Sequence, residues 1–135
     1  MSHDDLGYII APKDDWYCAG RMGNTVSEEV TGSLIVMRTD SNHVRVLFKH
    51  PLDGVIAGIH YKAFEDIFLV IGMHTRTNFR RNGVMTKLID MVADIDGILT
   101  IDGNRTVDGD KLVAYLKSLP PEEAPRVLLE DHAIY

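Results

Sequence analysis

Arg76, Arg80, Arg81 and Lys87 fall within twelve residues of each other, and Asn82-Gly83 sits among them. Cations gathered around a glycine suit one small polyanion. The glycine lets a backbone approach a ligand closely. A helix opening just after Gly83 would add unpaired N–H groups and the positive end of its dipole. Together these make a cradle for a diphosphate. Two common phosphate loops are excluded, because the chain contains neither Gly-x-x-x-x-Gly-Lys-Ser/Thr nor Gly-x-Gly-x-x-Gly.

Other chemistry-bearing residues are sparse. The six histidines (3, 43, 50, 60, 74 and 132) show no pair at metal-ligand spacing, and the single cysteine, Cys18, forms no cluster. No metal site is expected. An EF-hand from Asp102 fails, since its sixth position is Val107 and its twelfth Val113, where Gly and Glu are required. Asp96, Asp102 and Asp108 each precede a glycine and read as turns. One cysteine gives no disulfide framework and suits a reducing, cytoplasmic setting. The acidic start, Met1–Asp5, lacks a basic segment followed by an apolar one and does not look like a signal peptide. No apolar run is long enough to span a bilayer. The net charge of −6 repels phosphate backbones, so a general nucleic-acid binder is disfavoured.

These residues need elements to hold them. The 135 residues suit one domain with one core, residues 1–135. Leu6–Ala11 reads as a strand stopped by Pro12, and Trp16–Val30 as a short helix or irregular connection. Ser33–Thr39, Val44–Phe48 and Val55–Tyr61 read as strands. Ile67–Met73 is nearly continuous apolar sequence, which predicts a central strand covered on both faces. After Gly83 the period changes: Val84, Leu88, Met91, Val92 and Ile95 recur at helical spacing until Asp96-Gly97. Ile98–Ile101 follows as a short strand. Asp108–Leu119 then reads as a helix carrying Leu112, Tyr115, Leu116 and Leu119 on one stripe and stopped by Pro120-Pro121. Arg126–Leu129 and Ala133–Tyr135 read as late strands. The order predicts an α/β fold, a mixed sheet with helices on it.

The strand, the run Asn78-Phe79-Arg80-Arg81-Asn82-Gly83-Val84-Met85 and the helix beginning Lys87-Leu88-Ile89 resemble the signature of the GNAT superfamily of N-acetyltransferases, Gln/Arg-x-x-Gly-x-Gly/Ala. Arg80 takes the first position and Gly83 the second. Met85 stands at the third, where Gly or Ala is usual. Downstream, Asp108–Tyr115 resembles the family's Asn-x-x-Ala-x-x-Leu-Tyr helix, with Asp108 for the Asn. The likeness covers Phe68 to Tyr115.

The resemblance implies a GNAT-like fold, a mostly antiparallel central sheet flanked by helices. It implies acetyl-CoA held by Met73, His74, Thr75, Arg80, Arg81, Asn82, Gly83, Val84 and Met85. It also implies direct attack by an amine, borne by a small molecule or a protein, on the thioester. A backbone N–H near Met73–Thr75 would hold the oxyanion, and Tyr115 would protonate the leaving thiolate. The base is His74, His60 or Glu65. A binding or structural module of the same shape without turnover, an assembly component or inhibitor, stays open. So does another nucleotide or anion at the basic turn, and so does homodimerisation.

Overall fold

The structure, a computed structural model, describes residues 25–75, 79, 83–102 and 107–129. Seven strands form one sheet in the order β1-β2-β3-β4-β5-β6-β7: Thr25–Thr31, Leu34–Thr39, His43–His50, Gly54–Ala63, Phe68–Thr75, Leu99–Ile101 and Val127–Leu129. Helix α1, Val84–Ile95, connects β5 to β6, and α2, Val107–Ser118, connects β6 to β7. The first five strands are an antiparallel meander, and β5, β6 and β7 run parallel. Successive right-handed crossovers in one direction bring both helices to the same face. The core agrees: Leu88, Ile89 and Val92 of α1 and Val113 and Leu116 of α2 lie in one cluster with Val36, Val46, Ile59, Tyr61 and Leu99.

This architecture corrects the GNAT-like class expected from the resemblance. The described residues make a long sheet with two helices, both on one face, rather than a sheet flanked by helices. Part of the reason lies in Trp16–Val30. Its last residues do not join a helix or irregular connection; Thr25–Thr31 pair with β2 as a strand. The polar Ser27-Glu28-Glu29 masked a segment whose ends, Thr25-Val26 and Val30-Thr31, are β-branched and favour extended backbone. The expected strands Leu6–Ala11 and Ala133–Tyr135, and Cys18, lie outside the described residues.

The strand covered on both faces is also not the expected one. β5 is half-buried, with Ile71 40% exposed and Ile67 just before it 49% exposed. The doubly covered strands are β3, buried from His43 to Leu47, and β4, buried from Ile56 to Tyr61. β6 pairs with β5 over Phe68 and Leu69 alone. An apolar run declares that it avoids water, but its neighbours decide how far it succeeds.

Candidate site at the end of strand five

Strand β5 pairs with β4 along its whole length, through Ala57–Thr75 at one end and Ala63–Phe68 at the other. Its register shifts between His60 and Tyr61, whose partners are Gly72 and Val70, so Ile71 is an extra residue on β5. Such a bulge bends and twists its strand. On the other side β6 follows β5 for two residues, Leu99 beside Phe68 and Thr100 beside Leu69, and there the ladder stops. From Val70 to Thr75, β5 therefore has β4 as its one described strand partner, and its other edge parts from β6. Met73 lines up with Ile59 on the helix-covered side, while His74, in register with Gly58, faces the opposite side.

The chain then reaches the glycine turn. Arg76, Arg80, Arg81 and Asn82 lie outside the described residues; Phe79 and Gly83 are described. Phe79 packs on the core, its ring centroid 5.5 Å from that of His50. Gly83 is the N-cap of α1 and adopts φ 75°, ψ 8°, a left-handed conformation in which other L residues are strained. A Cβ placed there would meet nothing within 4 Å, so the space over it is open. Among the described residues no side chain caps the helix, and its first turn holds no acid. Among those residues the first N–H groups of α1 thus have no side-chain acceptor, and no acid in the first turn opposes the positive end of its dipole. Met85 does not crowd this opening, because its side chain is buried in the core. Val84 is half-buried against the same core.

A groove of about 500 Å³ runs from Gly83 along Thr86 and Lys87 to Tyr115, with Glu122 and Glu123 on its far wall. Tyr115 is 49% exposed, off the apolar stripe assigned to it from sequence. Among the described side chains of α2, Val113 and Leu116 are the buried ones. The far wall is tied down by Arg126, which donates to Asp90 from Nε at 2.9 Å and lies 3.0 Å from Asp94. Arg126 holds the Asp90 carboxyl below its usual range.

The structure brings Gly83 and Tyr115 to one groove, but it does not gather the proposed bases. His74 is on the face of β5 away from the helices. Glu65 is exposed in the β4–β5 turn, at the other end of β5 from Thr75. Eight residues of strand put that end roughly 25 Å away at ~3.3 Å per residue. His60 is fully buried, and its Nε2 lies 2.7 Å from His43 Nδ1. Burial first, then His43 and Arg45, push the His60 imidazole down to about 3, so it is neutral at pH 7.

Sequence reasoning missed the polar row to which His60 belongs. Arg45 is in register with His60 and His43 with Lys62, all on the sheet face opposite the helices. His43, Arg45 and His60 are buried there. The signal was present: His43 and Arg45 alternate with Val44 and Val46, as His60 and Lys62 do with Ile59 and Tyr61. Alternation ordinarily marks a solvated face, which is why it did not point to a buried pair. Among the described residues no group of three or more His, Cys, Asp or Glu could hold a metal ion, and no helix is long and apolar enough to cross a membrane. Comparisons with protein-family models, curated proteins and solved structures find no match for this chain.

Proposed function

We propose that the chain binds acetyl-CoA at the end of β5 and transfers the acetyl group to an amine. One observation carries this reading. A strand parts from its parallel neighbour and leads to a helix whose N-cap, Gly83, has open space over it, with no side-chain cap among the described residues and no acid in the first turn. Acetyl-CoA supplies an activated thioester and a diphosphate. The amides that open α1, together with Lys87 one turn on, suit the diphosphate. By the family resemblance, the oxyanion would lie against the backbone near Met73–Thr75. The unprotonated amine adds to the thioester carbonyl to form the C–N bond, and the resulting oxyanion collapses as the C–S bond breaks; Tyr115 gives the thiolate its proton, the nitrogen loses one to solvent, and solvent returns one to Tyr115. Arg80, Arg81 and Asn82 complete the cradle in this proposal. An amine on a small molecule or a protein, in a reducing cytoplasmic setting, fits a chain of net charge −6 with one cysteine.

A second reading has its own support. His74 and Glu65 lie away from Tyr115, and His60 is buried, so none of the three bases expected from the sequence faces the groove. That arrangement favours a binding or assembly module that holds the cofactor without turnover.

Thermal melting tests the shared premise. Acetyl-CoA at about one hundred times its Kd should stabilise the fold by about 2.7 kcal/mol. Gly83→Glu, which fills and charges the cradle, should abolish that shift. An unmoved melting temperature in millimolar acetyl-CoA would sink both readings. If binding holds, Tyr115→Phe separates them: lost turnover with retained binding supports transfer, and the absence of turnover in the parent chain supports the module.

A further inference from the structure

We infer that the outer edge of β1 is a docking site for a basic extended segment of another protein, added to the sheet as a further strand. All seven residues of Thr25–Thr31 are exposed. Among the described strands β1 ends the sheet, with β2 as its neighbour on one side. A strand so placed presents a row of backbone donors and acceptors to a partner. Val26 and Val30 are 64% and 67% exposed, an unusual degree for β-branched apolar residues on a strand. The edge carries neither lysine nor proline, two common guards against strand addition; a register shift between Thr25 and Ser27 is its one bulge, and Ser27–Thr31 pair regularly beyond it. It carries Glu28 and Glu29 at its centre.

Those two carboxylates choose the partner. Glu28 lies in register with Met37, and Met37 with Arg45, so Glu28 belongs to the sheet face opposite the helices. Glu29 is in register with Val36 and faces the helix side. An incoming strand therefore meets a negative charge on both of its faces. A second copy of this chain is a poor occupant. Antiparallel pairing centred on Glu28 sets Glu28 against its own symmetry mate, and a shift by one residue sets Glu28 against Glu29. Directly opposed like charges destabilise a strand pair, whereas opposite charges support it. The fitting occupant carries lysine or arginine at the two central positions and β-branched residues where it meets Val26 and Val30. This inference is independent of acetyl-CoA binding.

The probe is the peptide Thr-Val-Lys-Lys-Ser-Val-Thr, blocked at both ends, with Thr-Val-Glu-Glu-Ser-Val-Thr as its acidic counterpart. Amide NMR of the full chain should show shifts and slowed exchange confined to Thr25–Thr31 and the adjoining β2 with the basic peptide. Glu28→Lys/Glu29→Lys, at exposed positions, should weaken the basic peptide about tenfold and turn the preference to the acidic one. Raising the salt from about 0.05 M to about 0.5 M should also weaken binding. The inference is overturned by no response at about 1 mM basic peptide, where weak strand addition is still visible. It is equally overturned by affinity unchanged in the double variant, by equal binding of both peptides, or by a dimer of the parent chain that pairs through β1.

Discussion

Tyr61 is fully buried on β4, and its hydroxyl donates to Asp96, the C-cap of α1. Arg38 of β2 grips the same carboxylate through two nitrogens, at 3.0 and 2.9 Å. Burial, then this hydrogen bond, raises the Tyr61 phenol far above its ordinary range, so it remains a donor at any working pH. Three elements meet at one carboxylate. Tyr61→Phe removes a donor and leaves Asp96 its arginine, so urea unfolding should show a loss of about 1 kcal/mol. Asp96→Ala strands the buried hydroxyl and should cost about 2 kcal/mol or more. Equal losses would mean that the phenol, not the carboxylate, is the centre of the contact. A second residue-scale effect belongs to His60. Its folded value is depressed, so the unfolded chain takes up the proton first as pH falls. Its contribution is complete above about pH 6.5 and should decline below that by about 1.4 kcal/mol per pH unit. Denaturant melts between pH 7 and 5, above most carboxylate titration, should show this slope in the parent chain and a smaller one in His60→Phe.

At the scale of elements, α1 is unbalanced at its start. Its first turn holds no acid and its cap supplies no side-chain acceptor. A carboxylate in the first turn should stabilise the free helix by about 0.3–1 kcal/mol. Thr86→Glu should therefore raise the melting temperature of the chain alone. The same carboxylate on the groove beside Gly83 should suppress stabilisation by acetyl-CoA. A variant that is more stable and still binds would place the diphosphate elsewhere. The far end of α1 is as sharply defined. Beyond Asp96, a Cβ on Gly97 would lie 2.7 Å from the Phe68 ring, so the exit from α1 depends on close approach of backbone to β5. The helices and most strand spans were legible in the sequence, because a period of 3.6 or 2 is local information. Thr25–Thr31 was not, because two adjacent glutamates outweighed the β-branched residues around them.

Across the whole molecule the core joins β2, β3, β4 and β6 to both helices, while β1 contributes no buried residue. Unfolding should be one cooperative transition, with β1 opening below it. Hydrogen exchange should run fastest along Thr25–Thr31 and slowest in β3 and β4; comparable protection of β1 would mean that its edge is already occupied.

What the sequence by itself determined was the succession of elements and the glycine turn before α1. Apolar spacing, turn residues and Gly83 act within a few neighbours, and such signals survive without a fold. The tertiary structure alone decided which faces are covered and which side chains meet. It joined Gly83 to Tyr115 in a groove, set His74 and Glu65 apart from them, and closed His43 onto His60. Strand register and the placement of helices on one face fix those distances, and both arise from pairings between segments far apart in the chain.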